Sequence, residues 1–519
     1  MPKRFLNVEY DTLTAEIDVT DFEDLSGVQD AIKSEYGPAM ADIDAPQLQL
    51  YTDSSASAAA SPALLDFWTA FTNYPNPLEG NTVVQLPADV FILGNHSIGS
   101  SIYIRPCYPK LFEKSLSIVQ SADICRLIIL GNPGIGKTYF GYFLLLHLAR
   151  SGATVVYESG VDQKRYLLTP NGVFEGGKHA FWKILDSSST FYIVDGSAPV
   201  DVDAKTILVT SPRWEIWHRF SKGSCDIRYM PVWSKEELHS CRSMLFPTVP
   251  QELVQSLYLK WGGIVRYVLK YALVKEQQDF FDKALNISNI DSVVKSFGKY
   301  GENLDASSCL IHISVSDGFH SGPYQFAFDY VVDEIYNRVY ARDRDHLIRF
   351  VSVTREIGET GQLNRALFEK HAHTVIAKGG SFKIRDLRTK LESTLQLPMD
   401  LSTLLFSNNS QVQNATNCYF RPISNIFESV DSFIKPNLLF QMTGTKDHPC
   451  KQTELCDVLE ILGNPSKPEL YFVVPPDRFA CFTRQSYHGT DGQVLSQNDT
   501  IASVEKLTRF VLTFEPSHQ

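Results

Sequence analysis

RLIILGNPGIGKTYFGYFLLLHLAR, Arg126 to Arg150, decides the fold. An apolar strand-like run, LIIL, meets GNPGIGKT, and a helical apolar pattern follows. Gly131, Asn132, Pro133, Gly134, Ile135, Gly136, Lys137 and Thr138 satisfy the spacing G-x-x-x-x-G-K-[ST] in the strand–turn–helix context that this motif requires. Glycines let backbone N–H groups turn toward an anion, and a helix N-terminus adds a favourable dipole. Lys137 is expected to reach the β- and γ-phosphates of a nucleotide, ATP or GTP, and Thr138 to bind its Mg²⁺. The alternative is a glycine-rich turn that happens to carry a lysine.

Downstream, TVVYES, TFYIVD, TILVT and DIRYMPV read as buried strands separated by helical stretches. That pattern predicts a parallel sheet covered on both faces. TFYIVD ends in Asp195, where a strand-end acid holds the Mg²⁺ shell; a plain buried-strand end is the other reading. Gly196 follows, so the acid that commonly positions water next to this one is not expected there. TILVTSPR places Thr210, Ser211 and Arg213 at the next strand tip, within reach of a γ-phosphate. Residues 234–290 read as helices. WGGIVRY puts Arg266 after a double glycine, as a phosphate sensor or as an ordinary surface arginine.

The chain of 519 residues suggests roughly three domains. Apolar residues make up 44% and charged residues 21%, the composition of a soluble globular protein. The longest apolar run, Phe140 to Leu148, is interrupted by His147 and is too short to span a bilayer. The start, MPKRFLNVEYDTLTAEIDV, has polar and acidic residues where a signal peptide needs an apolar core, so the usual secretory route is not expected. The nine cysteines include no CxxC and read as free thiols. His448, Cys450 and Cys456 lie close together in a spacing that fits no common zinc pattern.

The net charge of −11 is uneven: residues 1–60 hold 3 Lys/Arg against 12 Asp/Glu, and the rest is near neutral. Total charge therefore neither supports nor opposes a nucleic-acid partner. RFLNVEYD and LTAEIDVTD read as two strands around Asp11-Thr12, DLSGVQDAIKSEYG as a helix and LQLYTD as a strand, together a small β-grasp unit. SSASAAASPA, Ser54 to Ala63, reads as a linker. From about residue 300 strand-like runs return in CLIHISV, SFKIRDL, NLLFQMT and ELYFVVP, marking a separate α/β or α+β unit.

In that unit Asp431 lies near a turn, and Gln441-x-Thr443 follows on one strand face. A metal nuclease needs an acid on one strand, then an acid or amide and a polar or basic group at i and i+2 on the next. Asp431, Gln441 and Thr443 offer that pattern, with Lys446, His448 and Lys451 nearby and Glu369 in ALFEKHAH as a further ligand. Gln441 stands where Glu is usual and Thr443 where Lys is usual; Lys446 or Lys451 is the candidate replacement. A solvated hairpin is the bland alternative.

The whole order resembles the Crinkler effector family and is similar to the retrotransposon-hot-spot proteins. The stretches that carry the resemblance are GQLNRALFEKHAHTVIAKGGSFKIRDL, NIFESVDSF, LLFQMTGTKDH and ELYFVVPPDRF, behind a short N-terminal unit and a P-loop unit. The N-terminal unit departs from the LxLFLAK motif of many oomycete members, with only RFLNVEY. The resemblance implies a multidomain α/β chain: a ubiquitin-like N-terminal domain over 1–53, linker and connector over 54–110, a P-loop AAA- or STAND-like NTPase with helical lid over 111–290, and a restriction-endonuclease-like domain over 300–519. It implies an effector secreted by a non-classical route that acts in a host cell, in its nucleus, during infection or symbiosis. Host DNA or nuclear proteins are the implied partners, and a homo-oligomer is expected. The residues carried over are Gly131 to Thr138, Asp195 and Arg266 for the NTPase, and Asp431, Gln441 and Glu369 for the nuclease. Two functions follow: a nucleotide-gated Mg²⁺-dependent DNase, or a non-catalytic nucleotide-regulated oligomer.

Overall fold

The computed structural model describes residues 5–10, 13–18, 33, 58–59, 61–121, 123–160, 163–287, 310–326, 329–352, 360–406, 410–413, 415–422, 429–445, 448, 450–496 and 499–514. At the N-terminus, β1 (Phe5–Tyr10) pairs antiparallel with β2 (Leu13–Asp18), the hairpin expected there. Of the helix expected in the β-grasp unit only Lys33, which is helical, is described, and the LQLYTD strand lies outside the described residues.

The next elements are β3 (Ala58–Ala59), α1 (Pro62–Thr72), β4 (Thr82–Gln85), β5 (Ser101–Ile104) and α2 (Cys107–Val119). The stretch expected to be linker and connector is therefore ordered and packed from Ser61 onward. Ser61 caps α1 through Leu64 N–H, and Pro62 occupies its first turn. Leu64, Phe67, Trp68 and Phe71 recur at helical spacing and are buried, while Trp68 Nε1 donates to Thr169 O at 2.9 Å. β3 pairs antiparallel with the edge of the first large sheet.

That sheet contains β6 (Arg126–Leu130), β7 (Val155–Ser159), β8 (Lys164–Thr169), β9 (Gly172–Gly177), β10 (Phe191–Asp195), β11 (Lys205–Val209) and β12 (Cys225–Tyr229). Its order is β12-β6-β11-β10-β7-β8-β9-β3, parallel from β12 to β7 and antiparallel beyond. β11 thus lies between the strand that feeds the phosphate loop and the strand that ends in Asp195. Both faces are covered: Leu127 and Ile129 belong to one core, Ile128 and Leu130 to another. This explains the unbroken apolar runs. α3 (Lys137–Arg150) is buried nearly all round, consistent with its continuous apolar sequence.

The lid helices are α4 (Lys235–Leu245), α5 (Gln251–Trp261), a π-helical turn at Arg266–Lys270 and α6 (Lys275–Ile287). Ser234 and Glu237 form a capping box at α4. Then come β13 (Ile311–Val315), β14 (Ser321–Phe326), α7 (Asp329–Arg342), α8 (Arg344–Val351) and α9 (Thr360–Lys378). They lead to β15 (Gly380–Asp386), β16 (Glu392–Leu397), β17 (Ser402–Phe406), β18 (Cys418–Pro422), β19 (Ser432–Ile434), β20 (Leu438–Met442), β21 (Cys450–Lys451), α10 (Gln452–Ile461), β22 (Glu469–Val473), β23 (Tyr487–His488) and β24 (Thr508–Thr513). The second large sheet has the order β16-β15-β24-β22-β20-β19-β18-β17 and is mixed. Its Phe440, Tyr471, Val473 and Leu512 join the same apolar core as Leu127, Ile129 and Ile193 of the first sheet. The chain is mixed α/β, and one continuous core runs between the two sheets. No helix among the described residues is long and apolar enough to cross a membrane.

Arg105, fully buried after β5, ties the connector to the lid. Its guanidinium donates to both carboxylate oxygens of Glu237, at 3.2 and 3.0 Å, and to Pro231 O and Val232 O, at 2.8 and 3.0 Å. Removing one partner of a buried pair leaves the other uncompensated. Arg105→Ala is expected to lower unfolding stability by about 3–5 kcal/mol, read from urea denaturation.

Candidate functional site

The loop after β6 closes on itself before α3 begins at Lys137. Gly134 and Gly136 hold φ of 80° and 95°, a region that favours glycine. Lys137 Nζ donates to Gly131 O and Asn132 O, each at 2.8 Å. Burial pushes the Lys137 ammonium down to about 7; Asp195 pulls it back up, and Arg266 and Arg213 push it further down. Asp195, at the end of β10, is raised by burial and drawn back by the Thr138 hydroxyl, by Lys137 and by the Tyr157 hydroxyl, which donates to it at 3.5 Å. The sequence-predicted Lys137, Thr138 and Asp195 are therefore brought together.

Arg266 joins them. Its N–H donates to Gly134 O at 3.1 Å, and a Cβ on Gly134 would meet Arg266 Cβ at 3.0 Å. The double glycine explains the approach: a Cβ on Gly263 would lie 2.2 Å from Trp233 O. Trp233 in turn donates its Nε1–H to Ile135 O at 2.7 Å, and Tyr108 its hydroxyl to Gly136 O at 2.9 Å. These two braces are not readable from sequence, because nothing local marks a loop carbonyl as their target. Thr210, at the tip of β11, has a buried hydroxyl without a hydrogen-bond partner. A buried hydroxyl in that condition is costly unless a ligand satisfies it. The residues fit a nucleotide phosphate with its Mg²⁺: a cationic loop, a Thr/Asp pair and an unsatisfied hydroxyl.

Glu158, on the strand beside β10, is an acid that could stand in for the one that Gly196 replaces. It pairs in register with Val194, so it lies on the opposite face from Asp195. There it is buried, held by Arg165 Nε at 2.7 Å and Ser197 Oγ at 3.0 Å, with the Tyr192 hydroxyl also donating to it. It is a structural ion pair.

In the second sheet, Asp431 precedes β19 and Gln441 lies on β20. Asp431 Oδ2 accepts Met442 N–H at 2.7 Å, and the Gln441 side chain also bonds it. Burial, and then Glu369 on α9, push the Asp431 carboxyl up to about 7. Asp431 and Gln441 are therefore brought together, and Glu369 acts on Asp431 through its charge. Gln441 Oε1 is a buried acceptor without a hydrogen-bond partner. His373, one helical turn after Glu369, bonds the Tyr419 hydroxyl through Nδ1, and burial holds it well below its usual range. Thr443 is buried, but its hydroxyl is engaged by Thr445, at 3.0 Å to the hydroxyl and 3.2 Å to the amide. Lys451 pairs with Glu454 at 3.5 Å. Lys446 lies outside the described residues. Among the described residues no group of three His, Cys, Asp or Glu side chains is placed to hold a metal, His448, Cys450 and Cys456 included. Near neutral pH Asp431 thus holds a proton beside the unsatisfied Gln441 Oε1.

No protein-family model matches the chain. Crinkler effector protein 16 of Phytophthora infestans is 24% identical over 419 residues, covering 74% of this chain and 64% of that protein. Crinkler effector protein 15 of the same organism is 23% identical over 420 residues, covering 74% and 65%. The chain is similar to these two Crinkler effector proteins. It spans less than two thirds of the length of those two relatives. Among solved structures, the Thermotoga maritima RuvB Holliday junction branch migration motor is 14% identical, covering 39% of this chain and 70% of that one with a TM-score of 0.22. A variant of it gives 0.23 over the same shares. TM-scores of that size establish no common fold.

Asp431 also generates a pH dependence. Folded, it keeps its proton up to about 7; unfolded, it loses it near the ordinary carboxylate value. The stability this lends is full in acid and is lost as pH rises from about 4 to about 7. Asp431→Asn should therefore raise the thermal midpoint at pH 8 and leave it near wild type at pH 4.5. Glu369→Gln should shrink that difference, as thermal melts at the two pH values will read.

Proposed function

We propose that this chain is a nucleotide-regulated effector of the Crinkler type. The observation that carries the reading is the meeting of Lys137, Thr138, Asp195, Thr210 and Arg266 at the tips of β6, β10 and β11 and the lid. ATP or GTP binds there with Mg²⁺, its phosphates on the loop amides, Lys137 and Arg266, and its metal on Thr138 and Asp195. The sequestered Glu158 and the Gly196 after Asp195 support slow hydrolysis, the behaviour of a switch. The N-terminal ubiquitin-like unit, the P-loop unit with its lid and the C-terminal sheet act as three functional parts, the last of them restriction-endonuclease-like.

In the same reading, Asp431, Gln441 and Glu369 are the remnant of a Mg²⁺-dependent DNA nuclease. The raised Asp431 and the unsatisfied Gln441 Oε1 favour an acid site that charges only when a cation arrives. A non-catalytic form, in which nucleotide controls assembly and the chain occupies host DNA or nuclear proteins, is supported by Gln441 and by the engaged Thr443. Delivery is by a non-classical secretory route to the host nucleus.

Supercoiled plasmid with Mg²⁺, with and without ATP, separates the two. Nicking that is lost in Asp431→Ala and altered in Lys137→Ala supports the gated nuclease. No nicking, with an ATP-dependent change in size-exclusion profile, supports the assembly switch.

Lys137 supplies a second test. Free, it is largely neutral at pH 8; on a phosphate it must be charged. Binding of ATP at pH 8 should take up about one proton per site. Calorimetry in two buffers of different ionisation enthalpy reads that number, and Lys137→Arg, already charged, should take up none.

A further inference from the structure

Asn132 is the second residue of the phosphate loop, and its side chain does not face the loop. It is buried, at 4% exposure. Its Nδ2 donates to Ile311 O at 2.6 Å, and its Oδ1 accepts Ile313 N–H at 3.0 Å. The carboxamide therefore pairs with β13 as a neighbouring strand would, donor to carbonyl and acceptor to amide. Residues 311 and 313 are 179 and 181 positions away in sequence. The main-chain oxygen of the same asparagine accepts Lys137 Nζ at 2.8 Å. One residue thus joins the phosphate-seeking lysine on one side to β13 on the other.

β13 is held to the lid as well. His312, between the two residues that Asn132 grips, is buried and bonds the Trp261 backbone, immediately before the Gly262-Gly263 turn that carries Arg266 to Gly134. The turn of the β13–β14 hairpin also pairs with the first sheet, where Tyr229 N–H donates to Phe319 O at 2.8 Å. β14 packs on α9, the helix that bears Glu369.

We propose that Asn132 is a positioning residue that fastens the phosphate loop to the β13–β14 hairpin, so that nucleotide on the loop regulates the order of the hairpin. The inference rests on the nucleotide reading above for its regulatory half. In one state Lys137 is bonded to Gly131 O and Asn132 O. In the other it is on a phosphate and those carbonyls are released. The loop shift that accompanies the exchange passes through the Asn132 carboxamide to β13. By reciprocity, whatever orders the hairpin changes nucleotide affinity by the same factor.

Hydrogen exchange on the full chain, following the amides of 311–326, tests both halves. Without nucleotide, Asn132→Ala should exchange about fivefold faster at Ile311–Val315 while β7 and β10 keep wild-type protection. Asn132→Asp conserves the volume but sets an oxygen against Ile311 O in place of the donor, so it should lose protection at Ile311–Val315 as the alanine variant does. A merely space-filling role would leave Asn132→Asp at wild-type protection. With a non-hydrolysable ATP analogue and Mg²⁺, wild type should change its hairpin exchange. Asn132→Ala, at an analogue concentration that its fluorescence shows to be saturating, should show no such change, and its affinity should differ from wild type by the coupling factor. Wild-type hairpin exchange in nucleotide-free Asn132→Ala overturns the fastening, whatever nucleotide does. An unchanged hairpin in nucleotide-bound wild type overturns the regulation. If wild type fails to bind the analogue, the nucleotide reading falls and takes the regulation with it, while faster exchange in Asn132→Ala still upholds the fastening.

Discussion

The backbone pairing of β11 between β6 and β10 is the constraint on which the cradle depends. β11 takes Thr206 to Val209 alongside Arg126 to Ile129 on one side, and Tyr192 to Asp195 on the other. With the strands parallel, all three tips point the same way, and the loop, Thr210 and Asp195 emerge at one edge. A phosphate site needs those groups within a few ångströms, and main-chain register places them there before any side chain is chosen. The unsatisfied Thr210 hydroxyl is a cost the fold carries at the point where a ligand would repay it.

The two candidate sites have opposite electrostatic imbalances. At the phosphate loop, Lys137, Arg266 and Arg213 act on one another across a single acid, Asp195. Burial makes that excess of positive charge expensive, and the lysine responds by shifting toward neutrality. At the second site, Asp431 and Glu369 interact as like charges, and the more enclosed Asp431 keeps its proton. An anion stabilises the first and a cation the second. Divalent metal bound with nucleotide phosphate would serve only the first. The second has to be supplied separately, and its proton must leave first.

Local patterns carry much of this in the sequence. The phosphate loop, the parallel strands around it, the lid helices and Asp195 all follow from short motifs and unbroken apolar runs, because each depends on neighbours in the chain. For Arg266 the sequence leaves sensor and surface residue both open; the close approach of Gly263 to Trp233 brings its backbone to Gly134, and that contact spans residues no local pattern connects. The packed connector is hidden because the turn residues from Asn73 to Gly80 mask the helical spacing of Leu64, Phe67 and Phe71. Arg105, Asn132 and Glu158 are invisible for one reason. Each is a polar side chain whose meaning comes from a distant partner: Glu237, Ile311 and Arg165. Gln441 and Asp431 are legible as neighbours, since a hairpin joins their strands, whereas the engagement of Thr443 by Thr445 depends on a turn that strand alternation does not describe.

A shared core changes how the two halves can influence each other. The inner faces of both sheets, together with Val331, Ile335, Leu367, Phe368 and Val375 on α7 and α9, belong to one buried cluster. Protein interiors are close-packed, so a shift on one side is not absorbed by empty space. Independent modules on a flexible tether could change nucleotide state without consequence for one another. Here the lid bonds β13 through Trp261 and His312, β14 of the same hairpin packs on α9, and Glu369 on α9 acts on the charge of Asp431. A rotation of α9 that carried the Glu369 carboxylate away from Asp431 would let Asp431 move back toward its ordinary range, by an amount limited by the solvent that reaches the exposed side of Glu369.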